Sequence, residues 1–121
     1  MSLDPRKYLI KDLINKSTPI DVWLQGTIEQ TIGTDIIIIS DTTGHAKIVR
    51  CDSAHGIIDK SSIKKGTYCC ILGIAVKTKG VPEIHCNKFI DLTSQPQMKL
   101  AWDFEVREAQ MVLEGKLVPK L

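Results

Sequence analysis

Residues Ile36, Ile37, Ile38 and Ile39 stand in an unbroken row between Asp35 and Ser40. Branching at Cβ stiffens isoleucine and favours extended backbone, and successive side chains of a strand point to opposite faces. The row therefore predicts a strand with isoleucine on both faces, which places the chain among β architectures and demands cover over the second face. Upstream, from Ile20, strict alternation sets Val22, Leu24, Gly26, Ile28 and Ile32 on one face and Trp23, Gln25, Thr27 and Glu29 on the other. Gly33 turns that first long strand into the isoleucine strand. Asp41-Thr42-Thr43-Gly44 reads as a tight turn into a third strand over residues 45–51, with Ala46, Ile48 and Arg50 in one phase.

Residues 52–66 are polar and lysine-rich, with Ile57, Ile58 and Ile63 as apolar anchors, and predict a short helix or ordered loop that Gly66 ends. A fourth strand follows over residues 67–76, a turn over 78–82, and a fifth strand over 83–91. In the fifth, Ile84, Cys86 and Ile90 share a phase that Lys88 interrupts. Ahead of the sheet, Asp4 before Pro5 has the form of a helix start, and Leu9, Ile10, Leu13 and Ile14 recur at helical spacing, so a short N-terminal helix ending near Asn15 is expected. Five strands with a connection between the third and fourth and a helix at each end predict a mainly β protein. The expected form is a five-stranded OB-fold barrel with a short N-terminal and a long C-terminal helix, and an SH3-like barrel is the rival. A chain of 121 residues suits one such unit, divided as 1–19 helix, 20–93 barrel and 94–121 interaction helix and tail.

The last segment carries the functional signal. Ser94-Gln95-Pro96-Gln97 has the form of a capping box, and the helix can run to Gly115. At about 100° per residue, Met98, Ala101, Trp102, Val106, Ala109, Val112 and Leu113 form one apolar stripe. Leu100, Phe104 and Met111 lie nearly opposite. One barrel buries one face, so the second stripe predicts a partner, or else contact with the N-terminal helix. Burying such side chains stabilises by roughly 1.5 to 3 kcal/mol each, a gain forfeited if they stay in water.

Composition excludes several alternatives. Sixteen basic against 14 acidic residues give a net charge of +2, far from the field of a phosphate-gripping protein. OB-folds that hold single strands stack bases on aromatics of their middle strands, and the second and third strands here contain none. Neither a signal-peptide run nor a membrane-length apolar stretch is present, so a soluble intracellular protein is expected, in which the Asn15-Lys16-Ser17 sequon is a chance match. Cys51, Cys69, Cys70 and Cys86 lack CxxC spacing and read as core filler. His55 and His85 beside Cys51 and Cys86 make a zinc site imaginable, but without knuckle spacing, and no metal or other cofactor is expected. No catalytic triad or phosphate loop appears, so the chain reads as a non-enzyme. Lys60, Lys64 and Lys65 read as a solvated face. Lys88 reads as either a snorkelling side chain at the barrel end or a charge aimed at an acidic or peptide ligand.

Four blocks stand out together: Val22-Trp23-Leu24-Gln25-Gly26, Gly66-Thr67-Tyr68 through Gly73, Lys88-Phe89-Ile90-Asp91-Leu92-Thr93, and Trp102-Asp103-Phe104-Glu105-Val106. In order and spacing they resemble the RecQ-mediated genome instability protein 2 family. The resemblance implies a non-catalytic, nuclear OB-fold subunit that pairs with the C-terminal OB domain of the larger RecQ-mediated genome instability subunit, its helix joining a helical bundle. Through that subunit it would join topoisomerase III alpha and a Bloom-type RecQ helicase, in an assembly that dissolves double Holliday junctions. The expected partner-helix interface comprises Leu100, Phe104, Met111, Val106 and Trp102. The resemblance also implies that Lys88 and Trp102 meet a Fanconi anaemia M peptide, with little direct DNA binding. A single-stranded DNA-binding OB-fold protein of replication or telomere type is the competing reading.

Overall fold

The computed structural model describes residues 6–56 and 60–113. The strands are β1 (Arg6–Lys7), β2 (Ile20–Ile32), β3 (Ile36–Ser40), β4 (His45–Val49), β5 (Tyr68–Lys77) and β6 (Glu83–Asp91), and one helix follows, α1 (Pro96–Leu113). The sheet runs β1-β2-β3-β4-β6-β5, and a β2–β5 pairing closes strands β2 to β6 into a five-stranded barrel. β4 and β6 pair in parallel and the other barrel pairs are antiparallel, the Greek-key order of the OB-fold.

The length of β2 is what permits closure. Residues from Ile20 to Thr27 pair with β5, while Thr27 onward pairs with β3, and a bulge lies between Ile28 and Gln30. Where β2 passes from one neighbour to the other stands Gly26, and a Cβ there would come 2.7 Å from the carbonyl oxygen of Ser40. The bend thus needs a residue without a side chain. Inside the barrel, Val22, Leu24, Ile28, Ile37, Ile39, Ile48, Ile71, Ile84 and Phe89 are buried together with Cys51, Cys69 and Cys86.

Several expectations are corrected. No N-terminal α-helix forms among the described residues: Arg6 and Lys7 pair in parallel with Val22 and Trp23, and Ile10–Leu13 makes a single 3-10 turn. The cause is competition for backbone donors. The Ile10 N–H donates to Asp41 Oδ2 at 2.7 Å, the Lys11 N–H to Thr43 Oγ1 at 3.0 Å, and the Leu9 N–H to Asp12 Oδ2 at 2.9 Å. The expected Asp4-Pro5 helix start lies outside the described residues.

The isoleucine strand is covered on one face, with Ile37 and Ile39 in the core and Ile36 and Ile38 half-buried outside. β4 ends at Val49 because Arg50 turns to φ +63°, so Arg50 leaves the phase of Ala46 and Ile48. The following connection contains 3-10 turns at Cys51–Ser53 and Lys60–Ser62, and Ile63 packs against the core. Ile57 and Ile58 lie outside the described residues.

Lys88 does not break the core phase of β6. The register against β5 shifts between Leu72–Lys88 and Gly73–Cys86, which inserts Asn87 and makes Phe89, not Ile90, the next inward side chain. Gly73 at this shift has the carbonyl oxygen of His85 where a Cβ would go.

Candidate functional site

α1 lies against the outer surface of β1 and β2. The turn Asp41-Thr42-Thr43-Gly44 fixes its first half: Asp41 Oδ1 accepts from the Thr43 and Gly44 N–H groups at 2.7 and 3.1 Å, and the Thr42 hydroxyl donates to Asp103 Oδ2 at 2.9 Å. Farther along, Lys7 Nζ stands 3.6 Å from Glu105, and Gln110 Nε2 donates to Asp12 Oδ2 at 2.9 Å. Beneath these polar links Trp102 and Val106 pack with Leu9 and the half-buried Trp23 in a second core, separate from that of the barrel. The Trp23 and Trp102 rings lie 6.2 Å apart at 33°, and Lys7 Nζ sits 4.7 Å above Trp23. Aromatic pairing and a cation over an indole face each add to the gain from apolar burial.

The opposite side of α1 is bare. Leu100 is 86% exposed, Phe104 69% and Met111 41%. They form a ridge, and beside it runs a groove of about 690 Å³ between α1 and β1, lined by Trp23, Ala101, Phe104, Ala109 and Val112 with Arg6 and Lys7 on the far wall. Small alanines on a helix flank let another backbone approach closely, and the adjoining ridge supplies side chains to interdigitate.

The residues expected at a partner-helix interface therefore divide. Leu100, Phe104 and Met111 face outward, whereas Val106 and Trp102 are covered by the chain's own barrel at 0% and 2% exposure. As for the expected peptide clamp, Lys88 is exposed on β6 in one cross-strand row with Leu72 and Trp23, and Trp23 in turn meets Trp102. Trp102 itself lines a cavity of about 320 Å³ with Tyr68, Lys99 and Asp103, in which Lys88 has no part. The structure thus puts both residues on the α1 side of the sheet without joining them in one pocket. Trp23, Lys7 and Glu105 belong to the site although the sequence reading did not select them. A tryptophan on the polar phase of β2 was the available signal for the first.

The four thiols are buried and free, so Cys51 and Cys86 serve the core. Lys64 and Lys65 are exposed on the wall of a separate cavity of about 730 Å³ near the start of β5. Among the described residues no group of three His, Cys, Asp or Glu side chains is placed to hold a metal.

A closed OB barrel followed by a polar-anchored helix that keeps an apolar ridge outside defines a small OB-fold protein with an exposed apolar helix face. Its sequence fits the profile of RecQ-mediated genome instability protein 2 over residues 9–110, and the chain belongs to that family, whose name ties it to genome stability. No curated protein matches it by sequence search. In structure it is similar to the telomere capping protein Ten1 from Saccharomyces pombe, with TM-score 0.64 and 13% identity over 88% of this chain and 98% of that one. It is also similar to a chain of the S. pombe Stn1–Ten1 complex, with TM-score 0.65 and 12% identity over 91% and 95%. The E. coli hypothetical protein ygiW aligns with TM-score 0.56 and 15% identity over 74% and 92%. At these identities the likenesses establish the OB-fold alone.

Proposed function

We propose that this chain is a non-catalytic, heterodimerising scaffold subunit of a RecQ helicase and topoisomerase III assembly, acting in the nucleus in DNA repair and double Holliday junction dissolution. The observation that carries the reading is the apolar ridge on a helix already fastened to its own barrel: Leu100 and Phe104 remain exposed beside the contacts that the described residues make. Large apolar side chains clustered on an exposed helix face are what protein-binding sites use. Family membership supports this reading, in which the partner is the C-terminal OB domain of the larger RecQ-mediated genome instability subunit, and through it topoisomerase III alpha and a Bloom-type helicase. The peptide contact that the resemblance implies, a Fanconi anaemia M peptide held by Lys88 and Trp102, would have to cross the Trp23 surface that lies between them. Catalysis then rests with the partners.

Light scattering of the purified chain, alone and mixed with the large-subunit OB domain of the same organism, tests the reading. A stable one-to-one complex is expected. A monodisperse monomer that ignores the partner domain would remove the assignment.

A further inference from the structure

The ridge of α1 is not wholly apolar. Steps of four, three and four residues lead from Leu100 through Phe104 and Arg107 to Met111, a spacing that keeps all four side chains on one side of an α-helix. Arg107 is exposed and makes no ion pair among the described residues. Asp103, the natural i−4 partner, accepts instead from the Thr42 hydroxyl. Phe104 and Met111 are apolar, and Gln110 is neutral and bonded to Asp12. Glu105, which points to the other flank, pairs with Lys7. Among the described residues the salt bridges are Lys7–Glu105 and Lys47–Glu83, and Arg107 enters neither.

The adjoining groove is lined by α1 residues from Ala101 to Leu113, so it runs along the helix axis for most of its length. A trough of that direction, bounded by a ridge with heptad-like spacing, floored by alanines and edged by the Lys7–Glu105 pair and by Glu108, suits a second helix packed along the first. Leucine, phenylalanine and methionine alone would accept many apolar helices in several registers. A guanidinium in the seam changes this, because docking strips its water and leaves a costly buried cation unless a carboxylate meets it.

Resting on the partner-binding reading of this surface, we propose that Arg107 is its specificity-determining residue, and that the segment docked on α1 is an amphipathic helix bearing a glutamate or aspartate opposite Arg107, among the apolar residues that meet Leu100, Phe104 and Met111. The planar fork of the guanidinium matches a carboxylate bidentately, which fixes register and orientation as well as charge. A helix with leucine or lysine at that position is rejected through the unpaired cation or through repulsion.

The test uses the full chain and the large-subunit OB domain named above, with affinity measured by titration calorimetry. Arg107→Glu should weaken pairing by roughly ten- to a hundredfold while the thermal midpoint of the free chain falls only slightly, because Arg107 has no ion pair to lose and the glutamate gains only a like-charged neighbour at Asp103. Reversing each acidic residue of the partner's docking helix to lysine in turn should then yield one variant that pairs with Arg107→Glu better than with the unaltered chain. Arg107→Glu pairing as tightly as the unaltered chain, or a weakened pairing that no partner reversal restores, would overturn the assignment and leave the proposed heterodimer standing. No complex with the unaltered chain would remove both readings together.

Discussion

Cys70 is 3% exposed on the outer side of β5, beneath the layer that α1 and Trp23 build there. Burial pushes its thiol up to about 12, against partial opposition from the Trp23 indole and the charges of Lys88 and Lys7. Burial also raises Cys69 well above the ordinary thiol range, helped by the charges of Cys70, Cys51 and Asp91. Cys51 is raised first by its hydrogen bond with Cys86 and then by burial. These directions fix the sign of a pH effect. An unfolded thiol titrates near 9.0, while Cys70 in the fold keeps its proton to about 12. Between those values the unfolded chain binds fewer protons than the native one, so stability falls as pH rises. The contribution is complete below the unfolded value, and within the window each such thiol can cost up to about 1.4 kcal/mol per pH unit. Urea midpoints should therefore agree at about pH 7 and 8 and drop at about pH 10, with thiol alkylation following unfolding rather than preceding it. Alkylation of the native chain at about pH 8 as fast as a free thiol would contradict this account of the core. The identity of the thiols as core residues was legible from their spacing; their mutual contacts were not, since Cys51 and Cys86 come from segments that only the barrel brings together.

At the scale of one element, the two faces of α1 should respond to substitution in opposite ways. Trp102→Ala empties a site 2% exposed in the small core with Leu9 and Val106, and should cost about 3 to 5 kcal/mol of folding stability. Leu100→Glu, at a position 86% exposed, should leave folding within about 0.5 kcal/mol of the parent. It should nevertheless abolish pairing, because docking would bury a carboxylate with no counter-charge. Urea unfolding of both variants, together with scattering of each against the partner domain, separates the roles. A folded Leu100→Glu chain that still pairs would show that the ridge lies outside the interface. Helical periodicity made both faces of α1 readable in advance. Which members of the inner stripe are covered was not, because that depends on how much barrel lies under the helix: Leu113 shares a stripe with Trp102 and Val106 yet is 57% exposed. The N-terminal segment misled for a related reason. Four apolar residues across a single turn fit an α-helix and a 3-10 turn equally, and the choice was made by Asp41 and Thr43, more than thirty positions away, accepting the Ile10 and Lys11 N–H groups. In β6 one inserted residue, Asn87, moved every later side chain to the other face, and alternation alone does not locate a bulge.

For the whole molecule, the question is which OB-fold surface works. Barrels that hold single strands use the outer face of the middle strands, where stacked bases each contribute about 1 to 3 kcal/mol. Here the outward positions of β3 and β4 are Ile36, Ile38, Ser40, His45, Lys47 and Val49, with no aromatic among them. Lys47 is engaged with Glu83 at 3.8 Å. Of the aromatic side chains, Tyr8, Phe89 and Trp102 are buried, Trp23 and Tyr68 half-buried, and Phe104 lies on the helix ridge. Strand binding would then rest on phosphate contacts alone, from a chain whose net charge is +2. Two or three such contacts give weak affinity that falls further with salt, since each neutralised phosphate of a single strand contributes a slope of about 0.7 in log affinity against log salt. Anisotropy titration of a fluorescent thirty-nucleotide strand should accordingly show no saturation at micromolar protein in physiological salt, for the chain alone. Saturable binding there, with Phe104→Ala abolishing it and pairing with the large-subunit domain absent, would transfer the ridge from protein recognition to nucleic-acid stacking. The same titration on the heterodimer distinguishes a surface created by pairing from one carried by this barrel, because residues of α1 that pairing covers can no longer meet a base.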